Sequence, residues 1–277
     1  MKSFENKVAA ITGAGSGMGR TLALRLAEQR CHLALSDVNE AGLAETVKLA
    51  GQYGVKVTSK KVNVAEREAM YAWAEDVVRD HGKVNLIFNN AGVALGATVE
   101  GMSYEDFEWI VGINFWGVVH GTKAFLPHLK ASGEGHIINT SSVFGLMGIP
   151  SQSAYNATKF AVRGFTEALR QELELGKSGV SATSVHPGGI KTNIARAARM
   201  TKSIRDIGLD DQRGSEKFEK MFITTADSAA QTILRAVRCN KRRVLVGPDA
   251  HVIDWMVRLF PSGYQRLTMY FARQSMK

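Results

Sequence analysis

A run of apolar residues, VAAIT at 8–12, delivers the chain into TGAGSGMGR at 12–20, and helix-forming residues follow at once. Few local patterns restrict a fold as tightly. A strand that turns through glycine straight into a helix must send that helix back across the sheet, so the next strand lies parallel to the first. The same turn aims the helix N-terminus, with its free amides, at whatever sits above the strand. Gly13 suits the sharp turn, Gly17 lets backbone approach a pyrophosphate and Gly19 permits close packing of helix on strand, with Ser16 and Met18 between them. The pattern therefore points to a dinucleotide-binding turn.

The strand–helix alternation continues through the chain. The candidate strands are VAAIT (8–12), HLALSD (32–37), VKVTSKKVNV (55–64), VNLIFNN (84–90), HIINTSS (136–142), VSATSVHP (180–187) and RVLVG (243–247). Helical patterns fall near 18–30, 40–53, 66–81, 103–131, 153–175 and 226–239. Together they predict an α/β fold of the Rossmann-like, doubly wound kind, with one seven-stranded parallel sheet covered by helices on both faces. Residues 1–248 are expected to form a single dinucleotide-binding and catalytic domain, in which the long excursion 188–225, with its IARAARM and FEKMF pieces, is a substrate lid. Residues 249–277 are left over as a helical extension broken at Pro261.

Composition narrows the function classes. The two cysteines, Cys31 and Cys239, are far apart and the seven histidines are scattered, so neither a disulfide framework nor a metal site is expected. The net charge of +9 is not a nucleic-acid stripe. Residues 1–190 carry 18 basic and 18 acidic side chains, whereas residues 191–277 carry 17 and 8, and the only tight basic run is KRR at 241–243. No run of 18 apolar residues occurs, and the N-terminus MKSFENKVAAITGAG runs directly into strand and glycine turn rather than reading as a signal peptide. A cytoplasmic protein is expected.

Two further local features carry chemistry. Asp37 closes the second strand, where a carboxylate accepts hydrogen bonds from an adenosine ribose diol and repels a 2′-phosphate, which favours NAD over NADP. Arg20 is the nearest base, facing either phosphates or solvent. In SAYNATK, Tyr155 and Lys159 stand one helical turn apart, with Cβ atoms about 5–6 Å apart, so that the ammonium can lower the phenol pKa. A tyrosine so tuned is a usable general acid or base.

With TGAGSGMG at 12–19, NNAG at 89–92, Asn114, Ser142, YNATK at 155–159 and PGGIKT at 187–192, the chain resembles the short-chain dehydrogenase/reductase family. The resemblance runs from about residue 5 to 192 and more loosely to 247; the visible departure is Asn63, where many members carry aspartate. It implies an NAD(P)-dependent alcohol dehydrogenase or ketoreductase. Tyr155 would exchange a proton with the substrate oxygen, while Lys159 tunes it and holds the nicotinamide ribose. Ser142 would hydrogen-bond the substrate, and Asn114 would hold a water that links Lys159 to solvent. The cofactor would also meet Asn63 and Val64 at the adenine, Asn90 and Gly92 on the adenosine side, and Ile190 and Thr192 at the carboxamide and phosphates. The resemblance further implies homodimers or homotetramers paired through the helices at 103–131 and 153–175.

Residues near these motifs are mostly apolar. Leu95, Phe144 and Met147, with Ser142, are expected to face a small hydrophobic alcohol, ketone or lipid-like aldehyde. A non-enzymatic dinucleotide sensor on the same fold is the rival reading; such proteins typically lose the tyrosine or lysine, and both stand here. The tail suits three placements: packing on its own subunit or across an oligomer interface, a peripheral membrane contact, or a protein partner.

Overall fold

The computed structural model describes residues 1–194, 196–209 and 222–275. Seven parallel strands form its main sheet: β1 (Val8–Thr12), β2 (His32–Asp37), β3 (Val57–Lys61), β4 (Leu86–Asn89), β5 (Gly135–Thr140), β6 (Val180–Pro187) and β7 (Arg243–Val246). Their order across the sheet is β7-β6-β5-β4-β1-β2-β3. The order reverses at β1 and β4, the switch point at which ligands bind beyond the strands' carboxyl ends. β1 lies between β2 and β4, with Ile11 opposite Leu35 on one side and Phe88 on the other.

Alternate residues of the central strands enter opposite cores, which is why the strands read as continuous apolar runs. Ala9, Ile11, Leu33, Leu35, Leu86 and Phe88 pack on one face with α1 (Gly17–Glu28), α2 (Glu40–Gly51) and α7 (Ala226–Arg238). Val8, Ala10, Ala34 and Ile87 pack on the other with α3 (Arg67–His81), α5 (Gly117–Ala131) and α6 (Ser153–Leu175). Local signals start and stop the helices: Asn39 accepts from the Gly42 amide at the head of α2, and Gly82, at φ 75°, ends α3.

Three expectations need correction in detail. β3 is five residues long because it is an edge strand that pairs only with β2, and after Lys61 the chain leaves the sheet. The helix expected over 103–131 is α4 (Tyr104–Val111), a π-helical turn at Gly112–Trp116, and α5. The excursion after β6 is pinned by two short parallel pairings, Ile190–Lys191 with Thr224–Thr225 and Leu95–Gly96 with Arg199–Met200. IARAARM thus ends in a strand; of FEKMF, only Phe222 lies within the described residues. Two helices, α8 (Pro248–Leu259) and α9 (Tyr264–Ser275), make up the tail, separated around Pro261. No helix among the described residues is long and apolar enough to cross a membrane.

Candidate active site

The glycine turn is built as its sequence implies. Gly13 and Gly17 adopt positive φ, 66° and 51°, and a Cβ on Gly19 would overlap the Gly13 carbonyl. Ser16, at the N-cap of α1, makes no side-chain cap hydrogen bond, and the first turn holds no acidic residue. The amides at Gly17, Met18 and Gly19 therefore have no intrahelical acceptor. Asp37 Oδ2 accepts from the Gly15 amide at 2.8 Å and Oδ1 from the Asn39 amide at 2.9 Å. Arg20 faces neither phosphates nor open solvent. It donates to the Gly15 carbonyl at 2.6 Å and to Thr46 at 3.0 Å, and it pairs with Glu45 at 2.7 Å, stapling the turn to α2.

A second layer supports this turn. Thr12 Oγ1 accepts from the amides of Asn90 and Ala91, each at 3.0 Å, and Asn90 Nδ2 donates to the carbonyls of Thr12 and Gly13. Asn90 thus holds the turn from behind. Asn63 turns inward as well, with Oδ1 on the Ala65 amide and Nδ2 on Glu66, while the carbonyl of the buried Val64 is bonded to His120. Sequence reasoning passed over Thr12; its place at the head of TGAGSGMG was the available signal.

The catalytic candidates converge at the carboxyl ends of β4 and β5. Asn114 lies in the π-helical turn, fully buried, accepting from the Val93 amide at 2.8 Å and donating to the Val93 carbonyl at 2.9 Å. It clasps the segment after NNAG. A Cβ on Gly92 would lie 3.2 Å from Asn114 Oδ1 and 3.5 Å from Lys159 Nζ, so the three motifs meet at one point. Lys159 Nζ donates to the Thr140 carbonyl at 3.0 Å and sits 5.6 Å from the Tyr155 ring centroid. The two adjacent serines separate cleanly. Ser141 donates to the Lys159 carbonyl at 2.8 Å, whereas Ser142 hydrogen-bonds Tyr155 while its Oγ accepts from the Phe144 amide at 3.1 Å.

Protonation follows burial. Tyr155 keeps part of its surface accessible, yet protein crowds its hydroxyl so that burial pushes the phenol up to about 12, opposed by the hydrogen bond from Ser142. Burial also pulls Lys159 down to about 8. The spacing of Tyr155 and Lys159 points to the ammonium's pull on the phenol; desolvation acts on that phenol in the opposite direction. A charged Lys159 opposes it.

The third wall comes from the segment after β6. Thr192 lies against the head of α1, its Cβ 3.2 Å from where a Gly17 Cβ would stand, and Ile190 is buried. His186, one of the scattered histidines, bonds the Ser142 carbonyl through Nδ1 at 3.0 Å and Ser184 through Nε2 at 3.0 Å. Its contact with a carbonyl makes Nδ1 the protonated nitrogen. The tail also reaches the site: Asp249 Oδ2 accepts from the Gly189 amide at 2.6 Å, and Tyr264 accepts from the Gly148 amide at 3.0 Å. Asp249→Ala should leave that amide unpaired and loosen the Ile190–Thr192 segment. We expect the Kd for dinucleotide to rise about tenfold, in line with about 1–3 kcal/mol for an orphaned buried donor. Dinucleotide titration by fluorescence checks this, with an unchanged pH profile of kcat separating it from a catalytic role.

Two substrate assignments are corrected. Leu95 is 1% exposed and packs with Ala97, Ile110 and Ala154, and Met147 is 4% exposed, so neither presents a contact surface. The Phe144 ring stands edge-on to Tyr155, with centroids 6.1 Å apart. Among the described residues there is no cluster of metal ligands.

Residues 7–203 match the short chain dehydrogenase family. A putative oxidoreductase, SadH, of Mycobacterium tuberculosis is 52% identical over 268 residues, covering 96% of this chain and 95% of its own. A cyclohexanol dehydrogenase of Acinetobacter is 41% identical over 193 residues, 69% of this chain and 76% of its own. Among solved structures, a short chain dehydrogenase/reductase from Burkholderia phymatum in complex with NAD superposes with a TM-score of 0.87 at 31% identity, covering 96% of this chain and 97% of that one.

Proposed function

Because the chain belongs to the short chain dehydrogenase family, we propose that it is an NAD(H)-dependent oxidoreductase interconverting a hydrophobic secondary alcohol and its ketone, with Tyr155 as acid and base. The observation that carries this reading is the meeting of Ser142, Tyr155 and Lys159 beside Gly92 and Asn114, at the sheet edge that also holds the glycine turn. A lipid-like alcohol and aldehyde pair fits the same chemistry. The related cyclohexanol dehydrogenase supports a cyclic or aliphatic secondary alcohol.

The turn fits a dinucleotide. Its positive-φ glycines bring backbone to the surface, and the uncapped head of α1 offers amides to phosphate oxygens. Gly13, Ser16, Gly17, Met18 and Gly19 would hold the pyrophosphate, Asp37 the adenosine ribose, and Lys159 the nicotinamide ribose, with Ile190 and Thr192 closing the nicotinamide end. A bound nicotinamide supplies the hydride acceptor in one direction and the donor in the other. In oxidation, Tyr155 Oη takes the alcohol proton; in reduction, it returns that proton to the carbonyl oxygen. Ser142, with its Oγ occupied as an acceptor by the Phe144 amide, keeps its O–H to donate to the substrate oxygen or to Tyr155. Lys159 stabilises the phenolate that proton release leaves behind.

Asp37 favours NAD. A 2′-phosphate within about 4 Å of this carboxylate would be opposed by about 4 kcal/mol per unit charge at an effective dielectric near 20, reduced by solvent at a partly exposed site. Arg20, already bonded to Gly15, Thr46 and Glu45, gives the phosphate no compensating partner. The test is kcat/KM with NAD⁺ and NADP⁺ over a panel of aliphatic, aryl, steroid and retinoid alcohols. The expected ratio favours NAD⁺ by about tenfold to hundredfold, and a preference for NADP⁺ would refute the Asp37 argument. The exposed Trp116 and Phe160, near the head of α5 and on α6, mark the surfaces through which we expect copies to pair.

A further inference from the structure

The tail bears a large apolar surface outside the catalytic machinery. On α8, Val252, Trp255 and Leu259 recur at helical spacing, and Trp255 is 71% exposed. On α9, Leu267, Tyr270 and Phe271 form one face, and Phe271 is 61% exposed. Tyr264 is the only buried side chain described on α9, so among the described residues most of that helix is exposed. A monomer rarely leaves so many large apolar side chains uncovered on two successive helices.

Charge says what covers it. Both acidic residues of 249–277 are turned inward: Asp249 accepts from Gly189, and Asp254 is held by Arg243 at 2.8 Å and Arg258 at 2.9 Å. α9 contains no acidic residue, and Arg266 and Arg273, seven positions apart, lie along one edge of its apolar face. A second copy docked on this face about a twofold axis would set arginine against arginine with no carboxylate on either helix to pair them. An apolar stripe edged by exposed arginines instead matches an anionic lipid surface, where the rings enter the headgroup boundary and the guanidinium groups meet phosphates.

We propose that α8 and α9 form a peripheral docking face for anionic membranes. The same two helices contact both loops of the active site, through Asp249 to Gly189 and Tyr264 to Gly148. A chain seated by this face would therefore hold its pocket beside the phase in which apolar alcohols concentrate.

Flotation of the full-length protein with vesicles tests the proposal. Phosphatidylcholine vesicles containing about a quarter phosphatidylglycerol should carry the protein upward, and pure phosphatidylcholine vesicles should do so far less. Partitioning should fall with added salt. The Trp255→Ser, Phe271→Ser double variant should lose about tenfold or more in partitioning. Arg266→Gln, Arg273→Gln together should lose about thirtyfold, at about 1 kcal/mol per charge near the surface. Both variants must retain the wild-type melting temperature and dinucleotide affinity, which separates a lost surface from a lost fold. Absence of flotation for the wild type on either vesicle overturns the proposal. If, in that case, the Trp255→Ser, Phe271→Ser variant also breaks an oligomer seen by light scattering, the face is a self-interface; an unchanged oligomer leaves lipid docking equally refuted.

Discussion

Tyr155→Phe should lower kcat by about 10²–10⁴-fold while leaving the Kd for NADH within about twofold of wild type. The substitution removes one oxygen from a ring that keeps its packing, because the contact with Phe144 is edge-on and aromatic. What is lost is the proton carrier between Ser142 and the substrate oxygen. Lys159 stays bonded to the Thr140 carbonyl, and the glycine turn lies outside the change. Stopped-flow absorbance at saturating dinucleotide, with NADH binding followed by fluorescence on the same samples, reads both quantities. A variant with turnover comparable to wild type would remove Tyr155 from the chemistry.

Acid should weaken the fold before most carboxylates titrate. Burial lowers His136 from 6.5 to about 3 and His186 from 6.5 to about 4. The unfolded chain takes up protons on both rings as pH falls below 6.5, and the folded chain does not until near 4 and 3. Their contribution is therefore complete above the unfolded pKa and is lost progressively through the window from 6.5 to about 4. At pH 5 each ring accounts for about 2 kcal/mol, so the unfolding free energy should drop by about 4 kcal/mol between pH 7.5 and 5. Urea unfolding at the two pH values measures the drop. His136→Gln should roughly halve it, because His136 bonds only Thr183 and its replacement has no proton to gain. A flat profile would contradict the burial of both imidazoles.

How much of this was legible in the sequence depended on how local each cause was. The strands of the sheet followed from apolar runs buried on both faces, and the glycine turn and the Tyr155–Lys159 pair from spacing within a single element. Other features depend on chain that returns from far away. Leu95 is covered because Arg199–Met200 pairs with it, and Met147 is buried in a loop whose next residue is tied to Tyr264. Asp249 reaches the Gly189 amide from sixty positions away, so no motif around PGGIKT announces it. The commitment of Asn114 to Val93 depends on the π-helical turn, which helix periodicity does not reveal. Burial likewise decides the direction of the Tyr155 shift, and a pair of residues one turn apart carries no information about their surroundings.

The central claim is hydride transfer from a secondary carbinol with Tyr155 handling the proton. Cyclohexanol deuterated at its carbinol carbon, incubated with the protein and NAD⁺, should yield NADH whose C4 position carries the deuterium by NMR. The same incubation with Tyr155→Phe should yield almost none in the same time. Undiminished labelling in the variant would contradict the assignment of the proton carrier. NAD⁺ binding without label transfer from cyclohexanol or any other carbinol-deuterated secondary alcohol of the panel would contradict the proposed reaction itself.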